Sequence, residues 1–196
     1  LDALKRSDLT VEKQTTLIRQ SSNEIRRLQT LTDNILLASQ LDQHESARTQ
    51  QVIELSKVLM EECKRFQLYS GRNIVMNIGN DIQINADQEM TRALISNLLD
   101  NAIKYSPNES AIQVSLIPES HHYQLRIADE GAGISESEKT RIFERFYRSN
   151  DEITRSTSGT GLGLYIVKTI CQLHQYKIRV ENNLPEGTIF IIQFAA

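Results

Sequence analysis

The 196 residues include no tryptophan, three prolines, two cysteines and eight glycines. Average usage of about 7% would give roughly 14 glycines, so the chain is glycine-poor. These shortages exclude collagen-like, mucin-like and proline-rich linker architectures. Cys63 and Cys171 stand far apart, with no Cys or His at metal-ligand spacing, and read as reduced thiols. No apolar run approaches the roughly 18 residues of a membrane span. The opening Leu1-Asp2-Ala3-Leu4-Lys5 has no leader pattern. The charge balance is 22 Lys and Arg against 25 Asp and Glu, net −3, which leaves no broad basic footprint for nucleic acid. A hydrophobic content of 39% can build a core, and the length fits one ordinary domain plus an extra segment.

What little glycine there is clusters. Gly131, Gly133, Gly159, Gly161 and Gly163 lie within one stretch, where a permissive backbone is needed. The first 44 residues contain neither glycine nor proline. There Leu28, Leu31, Ile35, Ala38 and Leu41 step by three or four, the stripe of a helix that packs on other helices. The spacing predicts a helix from about Val11 to Gln43, with Leu17, Ile18 and Ile25 extending its apolar face. Ser7-Asp8-Leu9-Thr10 reads as a break, with Asp8 or Thr10 as N-cap. Leu1–Arg6 then reads as the tail of a preceding helix.

From Gln51 onward strands and helices alternate. Val52–Leu55 reads as a short strand. Ser56–Leu68 reads as a helix with Val58, Leu59, Cys63 and Phe66 inward. Asn73–Ile78 and Ile82–Asn85 read as strands across the Gly79-Asn80-Asp81 turn. Asp87 can cap a helix that Ser106-Pro107 stops near Tyr105. Ala111–Ile117 and Tyr123–Ala128 alternate again around Pro118-Glu119-Ser120. Leu162–Gln175 is helical, and Tyr176–Glu181 with Thr188–Phe194 closes the chain as a strand pair. This order predicts an α+β sandwich, one mixed sheet under one helical layer, preceded by the long helix.

Three motifs carry chemistry. Asn97, Asn101 and Lys104 stand at i, i+4 and i+7 on one helical face. Two amides and an ammonium suit an oxyanion and a hard metal such as Mg²⁺, which takes one or two protein oxygens beside phosphates. A solvated polar face is the plainer reading of that stripe alone. Asp129-Glu130-Gly131-Ala132-Gly133-Ile134 follows a strand. The Asp can accept from an exocyclic amine, and the glycines admit a flat ring. Gly159-Thr160-Gly161-Leu162-Gly163-Leu164 opens a helix and can offer backbone N–H groups to phosphates. Between the last two, Arg145 and Arg148 can reach phosphate. Phe143 and Phe146 read as local packing. The polar stretch from Ser149 to Ser158 reads as a lid hinged at Gly159.

In this order the motifs resemble the N, G1, F and G2 boxes of bacterial two-component sensor histidine kinases. Glu186-Gly187-Thr188-Ile189-Phe190 resembles a later element of the same family. The resemblance covers about Gln50–Ala196 and implies the Bergerat ATP-binding fold shared with gyrase and ninety-kilodalton chaperones. It divides the chain into 1–48, a partial dimerisation and histidine-phosphotransfer hairpin, and 49–196, a catalytic ATP-binding domain. By resemblance Asn101 ligates Mg²⁺, supported by Asn97. Lys104 contacts phosphate, and Tyr105 borders the nucleotide. Asp129 reads the adenine amino group. Gly131, Gly133 and Ile134 shape the adenine pocket. Gly159, Thr160, Gly161, Leu162, Gly163 and Leu164 form the lid hinge and phosphate loop. Arg148 and, less directly, Arg145 stabilise the transferring phosphoryl, with Asn97 counted beside them. Thr188 sits beneath the adenine. The implied cofactors are ATP and Mg²⁺. The implied partners are a response-regulator receiver domain and a second copy of the chain, with no nucleic acid or membrane contact. The implied setting is the cytoplasmic portion of an inner-membrane sensor. A non-catalytic nucleotide-binding module and an anti-sigma-type serine kinase remain as alternatives. The segment before Gln50 favours the histidine kinase.

That reaction needs an acceptor imidazole. His44 lies beyond the long helix with no Pro after Thr49, His121-His122 lies in a strand turn, and His174 ends a helix. None reads as the acceptor. By the family's layout the acceptor box precedes Leu1 by roughly a dozen residues, about 18 Å of helix. The chain therefore reads as a fragment that binds nucleotide without phosphorylating itself. With most of the first hairpin helix missing, Leu28, Leu31 and Ile35 are expected to be exposed or paired abnormally.

Overall fold

The computed structural model describes residues 10–42, 50–148 and 159–195. The tail at Leu1–Arg6, the His44 segment and the lid at 149–158 lie outside the described residues. Helix α1 runs Val11–Asp42. The N–H of Lys13 donates to Thr10 Oγ1 at 3.4 Å and that of Gln14 to the Thr10 carbonyl at 3.0 Å, so Thr10 is the cap. After it come β1 (Gln51–Glu54), α2 (Leu55–Ser70), β2 (Ile74–Ile78), β3 (Gln83–Ala86) and α3 (Gln88–Tyr105). Then follow β4 (Ile112–Glu119), β5 (His122–Ala128), a 3-10 turn (Arg141–Phe143), α4 (Gly163–Leu173), β6 (Lys177–Asn182) and β7 (Thr188–Ala195). Asp87 caps α3 as expected, its Oδ1 accepting the Met90 N–H at 2.9 Å, worth about 1 kcal/mol.

Two sheets form where the sequence predicted one. The larger has the order β2-β4-β5-β7-β6, with β2 parallel to β4 and the rest antiparallel. The smaller is the antiparallel pair β1-β3. The hairpin expected across Gly79-Asn80-Asp81 therefore does not form. The Gly79 N–H donates instead to the Leu116 carbonyl at 2.8 Å, prolonging the β2-β4 ladder. On the far side of the turn the Ile82 carbonyl accepts from Leu55 at 2.8 Å, and Ser56 Oγ bridges Gly79 and Ile82. Alternation identified both strands, but alternation carries no information about partners. Pro118 and Glu119 belong to β4 rather than to its exit turn. Pro118 pairs opposite Tyr123 and lies past the last β2-β4 partners, Ile78 and Leu116, so no ladder bond on that side is lost.

The inner face of the large sheet presents Ile112, Val114, Leu116, Leu125, Ile127, Phe190, Ile192 and Phe194, all buried. Helices α2, α3 and α4 cover it through Leu59, Cys63, Leu94, Leu98, Ile166, Val167 and Ile170. A carboxylate is sealed into this layer as well. Glu62 is 1% exposed and accepts from Arg92 at 2.8 Å, from Ser96 at 2.7 Å and from Arg65. Burial pushes its carboxyl up, but these donors outweigh that and hold it below the usual carboxylate range. Helix α1 docks against α4 with its C-terminal part, where Ala38 and Leu41 are buried. Ile18, Ile25, Leu28 and Ile35, upstream of them, are more than half exposed.

Candidate nucleotide-binding cleft

A cleft of ≈ 530 Å³ opens between the C-terminal end of α3, the segment after β5, the 3-10 region, α4 and the loop joining β6 to β7. Its volume lies within the range of small-molecule sites. Of the residues singled out in the sequence, Asn101, Tyr105, Asp129, Gly131, Gly133, Ile134, Arg148, Leu164 and Thr188 line it.

One end is closed by Asp129, 4% exposed. Its Oδ1 accepts the N–H of Gly131 at 2.8 Å and that of Thr188 at 3.3 Å. Burial pushes this carboxyl above the usual aspartate value, and the two N–H donors only partly offset it. The Asp129 peptide is held too. Its N–H donates to the Thr188 carbonyl at 2.9 Å, and its carbonyl accepts from Asn183 Nδ2 at 2.9 Å. Gly187, at φ +137°, packs flat against that carbonyl, and a Cβ there would sit 2.0 Å from it. Only glycine combines this backbone with this approach. Gly131 lies against the end of α3, where an added Cβ would meet the Tyr105 carbonyl at 2.4 Å.

The other end is looser. Tyr105 is half-buried; burial raises its hydroxyl pKa and the positive charge of Arg148 opposes that rise. Asn101 lines the cleft with a buried Nδ2 that has no hydrogen-bond partner. An N–H₂ group left so is a donor awaiting an acceptor, such as a phosphate oxygen. Among the described residues, no group of three or more His, Cys, Asp or Glu could hold a metal. A hard cation here could take the Asn101 side-chain oxygen together with ligand oxygens, the pattern Mg²⁺ takes beside phosphates.

Several expected residues stand outside the lining. Asn97 is buried beside it, with Nδ2 donating to the Ala93 carbonyl at 2.9 Å and Oδ1 accepting from Asn34 Nδ2 of α1 at 3.3 Å. A Cβ on Gly163 would come 2.8 Å from that Oδ1, so Asn97 seats the first turn of α4. Lys104 pairs with Asp100 on its own helix. The Arg145 guanidinium lies over the rings of Phe146 at 5.3 Å and Tyr165 at 5.7 Å. In the second glycine run, Gly159 stands near the Tyr105 hydroxyl, Leu162 is 1% exposed, and Gly159, Thr160, Gly161, Leu162 and Gly163 do not line the cleft. Gly161, at φ +71°, accepts the Phe146 N–H at 3.0 Å, and a Cβ on it would meet the Phe146 carbonyl carbon at 2.6 Å. Phe146 packs locally, outside the cleft lining and away from the core. It is 62% exposed at φ +64°, its backbone committed to Gly161 and its ring to Arg145. Phe143 does pack against the core.

The sequence reading missed the wall made by Asn182–Glu186, together with Glu138, Ile142, Tyr147 and Phe190. The Asn-Asn-Leu-Pro-Glu-Gly turn signal was legible, but only as a connection between strands. Two of the described histidines are engaged away from the cleft. His122 pairs with Glu119 at 3.1 Å, and His174 stacks on Tyr176 at 5.3 Å.

Residues 86–196 match the family model described as histidine kinase-, DNA gyrase B-, and HSP90-like ATPase. The chain belongs to this family. Within it, the ATPase-family unit is the ATP-binding catalytic domain of the kind that sensor histidine kinases carry. Sensor protein KdpD of Clostridium acetobutylicum is 33% identical over 162 residues, 82% of this chain and 18% of the relative. The mycobacterial sensor histidine kinase MprB superposes with a TM-score of 0.67 at 28% identity, covering 75% of this chain and 97% of that one. Full-length ShkA, solved in complex with AMPPNP, superposes with a TM-score of 0.73 at 21% identity, covering 98% of this chain and 41% of that one. That last likeness concerns the fold. The chain spans less than half the length of the curated relatives it matches. No described helix is long and apolar enough to cross a membrane.

Proposed function

We propose that this ATPase-family chain binds ATP with Mg²⁺ in the cleft and, within its whole protein, donates the γ-phosphoryl group to a histidine for relay to a response-regulator aspartate. The observation that carries the reading is the closed end of the cleft. There Asp129 has one carboxylate oxygen saturated by two backbone N–H groups and a second left to accept an amino group. The opposite end supplies the Asn101 side-chain oxygen for a cation, and its unpartnered Nδ2 with Arg148 for phosphate oxygens. When bound, the magnesium ion neutralises charge on the phosphate chain. The protein's own part is positioning: Tyr105 and Ile134 border the base, Thr188 lies beneath it, and Arg148 approaches the transferring group. Lys104, Arg145, Asn97 and the second glycine run would join from just outside the lining. As the Pγ–O bond to ADP breaks, a Pγ–N bond to the acceptor imidazole forms.

The domain division at 48/49 belongs to this proposal. So does dimerisation through α1, whose exposed Ile18, Ile25, Leu28 and Ile35 form an unpartnered stripe suited to a helical bundle. The test supplies a separate hairpin that carries an intact histidine box, with labelled ATP and Mg²⁺. Label on the hairpin is the expected result. ATP binding without any label would sink the kinase reading and leave a binding module.

A further inference from the structure

The β6-β7 connection meets Asp129 through one side chain. Asn183 Nδ2 donates to the Asp129 carbonyl at 2.9 Å, and the Asn183 N–H donates to the Gly187 carbonyl at 3.0 Å. The first bond ties the loop to the residue that follows β5. The second closes the loop on itself, so that Leu184, Pro185 and Glu186 project from a fixed base into the wall of the cleft. Leu184 is 86% exposed and Asn183 half-buried, so the loop has no hydrophobic anchorage of its own at its tip. The loop is thus held at its base by Gly187, pressed on the Asp129 carbonyl, and by the Asn183 amide.

We infer that Asn183 is a positioning residue for nucleobase selection, locking the 182–187 loop and the Asp129 peptide into one rigid wall. This rests on the reading of Asp129 as the group that accepts the adenine amino group. Both Asp129 Oδ1 partners, Gly131 and Thr188, are backbone groups, so the carboxylate is aimed by the backbone rather than by its own rotamer. Whatever fixes the Asp129 and Gly187 peptides therefore fixes the direction of the second oxygen. Asn183 donates to both of those peptides, its side chain to the Asp129 carbonyl and its backbone N–H to the Gly187 carbonyl. Loss of its side chain removes the bond to the Asp129 carbonyl and so acts on the end of the cleft that reads the base.

The experiment measures Kd for ATP and for inosine triphosphate, which has an oxo group in place of the amino group. Both are measured with Mg²⁺ on the full chain, its Asn183→Ala variant and its Asn183→Asp variant. The wild-type chain is expected to prefer ATP by about tenfold or more, the size of a hydrogen bond to a charged acceptor. Asn183→Ala is expected to cut that preference at least threefold, with inosine triphosphate affinity unchanged. The ratio of the two constants does not depend on the fraction folded. If Asn183→Ala binds neither nucleotide, the isosteric Asn183→Asp, which lacks the donor, decides by the same ratio. An unchanged ratio, or equal losses for both nucleotides, overturns the role of Asn183 while the reading of Asp129 stands. A wild-type chain with no preference for ATP overturns the reading of Asp129, and this inference with it.

Discussion

The two ends of the cleft are built on different principles. At the Asp129 end nearly every polar atom is already spent on another. Gly131, Thr188, Asn183 and Gly187 hold one carboxylate and one peptide from four directions. At the Asn101 end the polar groups are idle or occupied by substitutes. Asn101 Nδ2 is unpartnered, Lys104 holds Asp100, Arg145 lies on two rings, and Asn97 answers to α1. One end is a template fixed before the ligand arrives, and the other is completed by the ligand's own charge. The contrast matches what each must bind: a rigid aromatic ring, and a flexible polyanion whose metal comes with it.

Breaking the template should have the largest effect. Gly187→Ala places a methyl group where only 2.0 Å is available, at a φ that L-residues avoid. Nucleotide binding is expected to vanish, and the thermal midpoint to fall by about 4 °C or more, read by calorimetry. Asp129→Asn should separate the two properties. The amide can keep both N–H contacts through its oxygen, but its NH₂ cannot accept an amino group. ATP affinity should fall roughly 10- to 100-fold by titration. Stability should hold or rise. Because the folded pKa of Asp129 lies above its unfolded value, the charged form opposes folding. That cost is fully present at neutral pH and disappears as pH falls below the ordinary aspartate value. The stability advantage of Asp129→Asn should therefore be largest near pH 7 and shrink toward pH 3, and a gap that widens in acid would refute the burial argument. At the looser end, Asn101→Ala should remove the Mg²⁺-dependent part of ATP affinity and leave the thermal midpoint nearly unchanged. Affinity that responds to Mg²⁺ as before would show that the amide is not the cation's anchor. The smallest effect is expected from Asn34→Ala, a change in ATP affinity within about threefold, since one neutral hydrogen bond is at stake.

The same contrast explains what was legible in the sequence. The template end carries its signature in glycines, and Gly131, Gly133 and Gly187 stand out in a chain that uses few. Asp129 at a strand end completes that pattern. Helix α3 was legible from Asp87 to Tyr105 because cap, apolar stripe and stop signal agree. The β2-β3 hairpin was misread because the partner of β2 is β4, some 38 residues along, and local alternation cannot name it. Asn183 escaped notice because its role depends on a carbonyl 54 residues away. The phosphate-end residues were named by motif, but their present engagements could not be foreseen. Asn97 meets a helix 63 residues upstream, and Arg145 meets a ring on α4.

The bond between Asn34 and Asn97 has a thermodynamic corollary. It joins a helix that carries no ligand-binding group to the residue seating the first turn of α4, beside the cleft. Suppose that filling the cleft alters this bond by some factor in equilibrium. Linkage then requires that any twist or shift of α1 that alters it change the cleft's affinity by that same factor, in the reciprocal sense. On that supposition the helix and the cleft read each other, through this bond and through the docking of Ala38 and Leu41 against α4, with neither acting as the sole input.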